Sequence, residues 1–277
     1  MGREWLIFAM PTQTVISWPF LANAKQTEGL TYLTAFGGAA FEEEYFSLRE
    51  KEGRILDLQA LQKLPKVDAK HPHAQEWKVR EDSLHRFLTL LRSWHCDRIL
   101  DLGCGNGWMS RRVAEAVERK VLGMDLNQRE LKDAQAAFGR IKELDFVYAD
   151  IFEAAIPAQS FDLIYLAGSV QYFSDLSQLL QRLLHLLSPG GRIVIFDSHF
   201  YAAEEVGAAH LRSKEYYENL GFPAFAEHYF HHSRKELSAF KAHFLYDPQS
   251  IKNRVFRLAK VKAVSPFPMI MIQKQDD

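Results

Sequence analysis

The chain of 277 residues is 47% hydrophobic and 25% charged, which excludes a disordered or collagen-like polymer and leaves ample sequence for a sizeable core. Lysine and arginine number 34 against 35 aspartates and glutamates, a net charge of -1, so no global field draws the chain to nucleic acid or acidic membranes. The 2 cysteines, Cys96 and Cys104, supply neither a disulfide framework nor a four-cysteine zinc site and point to a reduced, cytoplasmic setting.

From the N-terminus, Trp5–Met10 and Val15–Leu21 read as two short strands joined by a polar turn. Ala22-Asn23-Ala24 mimics a secretory cleavage site. Pro11, Thr12, Gln13 and Thr14 interrupt the apolar stretch before it, and Arg3 is followed at once by Glu4, so no leader is expected. No stretch approaches the roughly 18 unbroken apolar residues of a spanning helix. Short apolar pieces, the acidic run Glu42-Glu43-Glu44 and a polar segment with Pro65 and Pro72 complete an N-terminal extension over residues 1–75. Between Glu76 and Trp94, the residues Trp77, Leu84, Phe87, Leu88 and Leu91 recur at helical spacing. The texture changes at Arg98. A strand at Arg98–Leu102 runs into a Gly-rich loop and then a helix with Met109, Val113 and Ala116 or Val117 on one face. A strand at Val121–Met124, a helix over Gln128–Phe138 and strands at Phe146–Tyr148 and Phe161–Ala167 follow. Leu176–Leu187 is a Leu-rich helix stopped by Ser188-Pro189-Gly190-Gly191, and Arg192–Phe196 is again a strand. Strands alternating with helices predict an α/β fold with a mostly parallel sheet.

In such a sheet, ligands sit at the carboxyl ends of the strands. The first strand ends in Asp101-Leu102-Gly103-Cys104-Gly105-Asn106-Gly107, and its three glycines let the backbone turn tightly and approach a ligand. The second ends in Asp125, whose carboxylate can accept from both hydroxyls of a ribose. The third ends in Ala149-Asp150-Ile151, an acid for an exocyclic amine beside an apolar residue for a base. The Gly-x-Gly-x-Gly spacing departs from the Gly-x-Gly-x-x-Gly of dinucleotide sites. Asp101 would also repel a pyrophosphate; it suits a ligand with a positive end, such as a sulfonium carrying an α-amino group. Glycines that serve only a tight turn are the alternative for the loop taken alone.

Asp101–Gly107 resembles the first motif of the class I S-adenosylmethionine-dependent methyltransferases. Gly123-Met124-Asp125-Leu126 resembles their second motif, and Asp150-Ile151 falls where their adenine-contacting pair lies. Phe161–Leu166 is similar to their fourth strand, and Leu187–Arg192 to the turn before the fifth. The resemblance covers roughly residues 80–200. It implies a Rossmann-like, doubly wound, seven-stranded sheet in the order 3-2-1-4-5-7-6, strand seven antiparallel, with helices on both faces. The methyltransferase domain would span 76–277, with the sixth and seventh strands after residue 220 and the last near Pro268–Gln273. The implied cofactor is S-adenosyl-L-methionine, with S-adenosyl-L-homocysteine as product. Carried over by position, Asp101 holds the methionine amino group through water or loop backbone. Gly103, Gly105 and Gly107 line the methionine part together with Cys104, a small filler, and Asn106. Asp125 binds the ribose, Leu126 packs on the adenine, and Asp150, beside Ile151, holds its amine. Ala167 offers a carbonyl near the amino group, and Arg80, on a helix before the first motif, pairs with the carboxylate. Ordinary core packing is the alternative for Leu126 and Ile151, and a solvated helix face for Arg80.

Methyl transfer from a sulfonium is an in-line displacement in which the enzyme chiefly positions the reactants. A base is needed only if the acceptor is protonated at neutral pH. His199, just after the fifth strand, is the first candidate, and Tyr172, after the fourth, is expected to line the pocket. The aromatic and histidine-rich segment of about 200–246 is the expected acceptor lid for a partly apolar substrate. His71-x-His73 and His231-His232 lack ligand partners at metal spacing, so no metal is expected. After the fourth strand stands Ala167-Gly168-Ser169-Val170, where nucleobase-amine and protein-amide methylation would call for an Asn-Pro-Pro-Tyr-like motif. The expectation is a small-molecule acceptor methylated at oxygen or nitrogen, with no nucleic acid or membrane partner. A non-catalytic cofactor-binding protein and a macromolecule methyltransferase are the alternatives. The rhythm of Trp5–Phe46 resembles the zinc ribbon that precedes some bacterial methyltransferases, but without cysteines it would be a metal-free relic held by packing.

Overall fold

The computed structural model describes residues 18–251, 253 and 265–275. The strand expected at Trp5–Met10, and the start of the one at Val15–Leu21, lie outside them. The described remainder of the second is a 3-10 turn, Pro19–Leu21. Pro19 has no N–H for a ladder and its ring presets a helical φ. Trp18 is 2% exposed and packs on Phe161 with ring centroids 5.4 Å apart.

Strands β1 (Lys25–Thr27) and β2 (Leu30–Tyr32) form a hairpin across Glu28-Gly29. Both turn residues have left-handed φ, 51° and 79°, the backbone whose twist suits a two-residue hairpin. Helices α1 (Ala39–Lys51), α2 (Leu58–Lys63) and α3 (Ala74–Leu91) follow. The alternating region comprises β3 (Arg98–Leu102), α4 (Trp108–Val117), β4 (Lys120–Asp125), α5 (Gln128–Phe138) and β5 (Leu144–Tyr148). It continues through β6 (Phe161–Ala167), α6 (Leu176–Leu186) and β7 (Leu187–Phe196). Last come β8 (Phe200–Tyr201), α7 (Val206–Leu220), β9 (His232–Ser233), β10 (His243–Tyr246) and β11 (Met269–Gln273).

The main sheet runs β1-β2-β5-β4-β3-β6-β7-β11-β10. From β5 to β7 all neighbours are parallel, and β11 lies antiparallel between β7 and β10. Seven of these strands take the implied order, with β10 and β11 as sixth and seventh. The sheet nevertheless has nine strands, a correction to the seven expected: β2 adds parallel to β5 through Thr31–Val147 and Tyr32–Tyr148, and β1 pairs outside it. Alternation makes this possible, since Leu30 and Tyr32 are buried on one face of β2. Among the described residues the hairpin is thus an edge of the main sheet. A second departure is β7, which begins at Leu187 and absorbs Ser188-Pro189-Gly190-Gly191. Leu187 pairs with Phe161 across a register shift, so α6 stops at Leu186.

The central strands read as continuous apolar runs because helices cover both faces. Ile99, Leu100, Val121, Leu122, Ile164 and Val194 are all fully buried. Phe87 of α3 sits 4.9 Å from Tyr165 and 5.0 Å from Phe196, ring to ring, which fixes α3 across β6 and β7. Its first turns therefore overhang the carboxyl ends of those strands. Both cysteines are free and buried. Among the described residues no helix is long and apolar enough to cross a membrane, and no group of His, Cys, Asp and Glu is arranged to hold a metal.

Candidate active site

A cavity of about 920 Å³ opens at the carboxyl ends of β3 to β7. Its floor begins with the loop after β3. Gly103, Gly105 and Gly107 all have left-handed φ, 75°, 52° and 73°. The Gly103 and Cys104 N–H groups donate to the Met124 carbonyl at 2.8 and 3.1 Å, and Gly105 N–H donates to Asp125 Oδ2 at 2.7 Å. Asp125 Oδ1 accepts from Asn127 N–H at 2.8 Å. The loop and the acid that ends β4 are thus built as one unit, with lone pairs of the carboxylate still open.

Of the residues singled out in the sequence, Arg80, Gly103, Cys104, Gly105, Asn106, Asp125, Leu126, Asp150, Ile151, Ala167, Tyr172 and His199 all line this cavity. Asp101 and Gly107 do not. Asp101 is 1% exposed beneath the loop, where its Oδ2 accepts from Ser110 Oγ at 2.6 Å and Tyr165 OH at 2.8 Å. Burial pushes its pKa up to about 7 against those two bonds. Direct contact with a ligand amino group is therefore closed to it, and its place is to brace the loop from below. Gly107 is the N-cap of α4 and packs against Phe146, where a Cβ would come within 2.6 Å of the ring. The apolar pair differs in exposure: both line the cavity, but Ile151 is 2% exposed and packs into the core, whereas Leu126 is 46% exposed. Asp150 Oδ1 accepts from Phe152 N–H at 2.8 Å. Burial pushes the Cys104 thiol well above its ordinary pKa, so it is an inert filler.

Arg80 reaches the cavity already paired. Its Nε and Nη2 meet Glu76 Oε1 at 3.0 and 2.9 Å, and Arg54 holds the other carboxylate oxygen at 2.9 Å. Burial works against ionising Glu76, but the two guanidinium groups outweigh it and hold its carboxyl down at about 2. The chain of ion pairs continues through Arg54–Glu52 at 3.0 Å and Arg49–Glu52 at 2.5 Å, and Arg49 Nη2 donates to Tyr172 OH at 2.6 Å. Tyr172 is thereby fixed by a residue of α1. Arg49 also lies over the Tyr45 ring, 4.7 Å from its centroid.

Several lining residues escaped the sequence reading. Phe41, Tyr45 and Arg49 recur every four residues along α1, a face that the spacing displays but whose target the sequence does not reveal. Phe152, 41% exposed, stands across from Phe173 at 6.2 Å. Asp197, held at φ 57°, accepts from Ser83 Oγ at 2.5 Å, and burial pushes its pKa up to about 6 although Arg80 pulls it down. His199 is exposed at the cavity, with its ring 4.6 Å from Phe267, and partial burial followed by the Arg212 charge lowers its pKa. Glu130 stands beside Gly105, where a Cβ would meet its Oε2 at 2.8 Å. Burial and the Asp125 charge push Glu130 up to about 8. A raised folded-state value means stabilisation that is full at low pH and lost as pH rises through it. Cofactor-free protein is expected to lose about 1 kcal/mol, roughly 2–4 °C in Tm, between pH 7 and 9. Thermal scans of Glu130→Gln should show that fall reduced; an identical profile refutes the assignment.

Comparison with known proteins adds the family. A profile described as "Methyltransferase domain" matches residues 99–191. Residues 99–191 form a methyltransferase domain, similar over that span to S-adenosylmethionine-dependent methyltransferases. Over 104 residues this methyltransferase chain is 32% identical to 27-O-demethylrifamycin SV methyltransferase of Amycolatopsis mediterranei, covering 36% of the chain and 38% of the relative. Over 117 residues it is 29% identical to phosphoethanolamine N-methyltransferase 3 of Arabidopsis thaliana, 42% of the chain and 24% of the relative. The matches thus span well under half of either relative. Among solved structures, an S-adenosylmethionine-dependent methyltransferase from Mesorhizobium loti superposes with a TM-score of 0.51 at 22% identity, over 72% of this chain and 99% of that one. The likeness there is of fold.

The methyltransferase site fits the family's cofactor on its own chemistry. The glycine loop leaves an approach that a Cβ at Gly105 would fill, and Asp125 and Asp150 give that end an acidic lining for a cationic ligand.

Proposed function

We propose that this methyltransferase transfers the methyl group of S-adenosylmethionine to a small-molecule acceptor, at oxygen or nitrogen, by in-line displacement. One observation carries the reading: a single cavity is shared by the glycine loop with its acidic residues and by a wall of Tyr45, Tyr172, Tyr217 and Tyr229 with His199. Its volume of about 920 Å³ lies near the top of the roughly 300–1,000 Å³ range of small-molecule sites, room for cofactor and acceptor together.

The bound cofactor supplies an electrophilic methyl on a sulfonium. The chain's own residues bind and orient. Asp125 accepts from the ribose hydroxyls, Leu126 and Phe152 flank the adenine with Asp150 at its amine, and the Ala167 carbonyl faces the amino group. Arg80 keeps one guanidinium nitrogen toward the carboxylate while Glu76 fixes the rest. His199, neutral at pH 7 because its pKa is lowered, can take a proton from a hydroxyl acceptor. Tyr172, held by Arg49, lines the acceptor side.

Titration with S-adenosylmethionine, followed by tryptophan fluorescence through the lining residue Trp108, is expected to give a dissociation constant between about 1 μM and 1 mM. No binding at millimolar cofactor overturns the proposal. A methyl-label screen over metabolite extracts should then yield a labelled small molecule. For a hydroxyl acceptor, His199→Ala is expected to lower kcat about a hundredfold; undiminished turnover would leave positioning alone as the source of catalysis.

A further inference from the structure

We propose that the methyl acceptor carries an anionic group, a carboxylate or a phosphate ester, seated against Arg212 where the main cavity meets a second one. The inference rests on the methyltransferase reading above. Helix α7 turns one face to the main cavity, since Ala209, Arg212, Ser213, Tyr216 and Tyr217 fall at helical spacing and all line it. Arg212 also lines a neighbouring cavity of about 460 Å³, which shares His199 and Tyr201 with the first. Space therefore continues past the guanidinium on the acceptor side.

Charge in the main cavity is divided between its ends. Arg49, Arg54 and Arg80 are each bound into ion pairs with Glu52 or Glu76. Asp125 and Asp150 make no ion pair among the described residues, and they stand at the glycine-loop end, where a cationic cofactor belongs. Arg212, at the opposite end, makes no ion pair among the described residues either. Its charge is felt by the Tyr201 hydroxyl, a group that does not neutralise it. Glu205, a carboxylate on the second cavity, accepts instead from the Ala202 N–H at 3.2 Å. Ser213 Oγ, bonded to His231 Nε2 at 2.9 Å, adds a hydroxyl one residue along. The surroundings are one-sided: burial, then His210, Arg212, His232 and His199, push the His231 pKa down to about 4. An unpaired guanidinium presents a planar fork of donors that matches carboxylate and phosphate oxygens. The tyrosines beside it take the apolar body of the same molecule.

The test uses the full chain saturated with S-adenosylhomocysteine and calorimetric titration with phenylacetate, phenyl phosphate and neutral 2-phenylethanol. At least one anionic probe is expected to bind about ten- to a hundredfold tighter than the alcohol, and the two anions together tell a carboxylate site from a phosphate site. Arg212→Gln should bring that preference within about threefold, and Arg212→Lys should restore part of it. Both variants should keep wild-type affinity for S-adenosylhomocysteine and an unchanged Tm, because the side chain is exposed on α7. Equal binding of anionic and neutral probes, no binding of either anion, or a preference that survives in Arg212→Gln overturns the inference. Failure of the wild type to bind S-adenosylhomocysteine is read before any probe is added, and it strikes the methyltransferase reading instead.

Discussion

Asp125→Ala is expected to weaken S-adenosylhomocysteine binding by about 10²–10⁴-fold. A hydrogen bond to a charged group contributes about 1.5–3 kcal/mol, and a ribose diol offers two. The side chain is preorganised for this, since its two oxygens are anchored by the Gly105 and Asn127 N–H groups at 2.7 and 2.8 Å. The anchors also add a second loss, because alanine leaves both N–H groups unpaired and loosens the loop. Asp125→Asn separates the two. It keeps the size, but it puts an amide donor where backbone donors and ribose hydroxyls all need acceptors, so affinity should still fall by at least about tenfold. Calorimetric titration of the three proteins decides the matter, and an alanine variant within threefold of wild type would refute the ribose contact.

Gly103→Ala is expected to cost about 2–5 kcal/mol of stability, with Tm lower by roughly 5–15 °C. Two penalties add at this position. The residue has φ 75°, where an L side chain is strained, and a Cβ would stand 2.4 Å from Ser169 Cβ. Ser169 cannot simply rotate away, because the collision is with its Cβ and its Oγ donates to the Leu102 carbonyl at 2.6 Å. The backbone of the loop must shift, so cofactor affinity should fall along with Tm. Gly105→Ala is the informative contrast. Its Cβ meets only the end of the Glu130 side chain, at 2.8 Å, which can swing aside. That variant should lose about 1 kcal/mol from strain but a larger share of cofactor affinity, because the displaced carboxylate enters the cavity. Thermal unfolding with parallel titration checks both, and equal Tm losses would show that the Ser169 contact is unimportant.

The alternation of strands and helices was legible because each element carries its own pattern. Ile99 to Leu102 and Phe161 to Ala167 are apolar enough to be buried on both faces, and Asn127 and Asp175 cap the helices that follow them. Likewise Asp125, Asp150 and the glycine loop announce themselves at strand ends. The loop position of Asp101 is plain in the sequence, but its partners Ser110 and Tyr165 come from α4 and β6, which no local pattern names. Leu126 and Ile151 look alike as apolar residues after acids, and only packing makes one an exposed cavity wall and the other a core residue that reaches the cavity. The edge hairpin was visible as short strands, yet its pairing with β5 joins Thr31 to Val147, a partnership no local pattern specifies.

By itself, then, the sequence determined the alternation of strands and helices, the glycine loop and the acids at the strand ends, because those follow from periodicity and glycine conformation within a few residues. The strand order came from the resemblance to the family. Tertiary structure decided the roof of the cavity. The bond from Arg49 to Tyr172 joins residues 123 positions apart, and the faces that α1 and α7 turn inward depend on what they pack against rather than on their own spacing. A helix pattern states which residues share a face, but the burial of Leu48 against Tyr217 and Phe225 is what turns those faces toward the site.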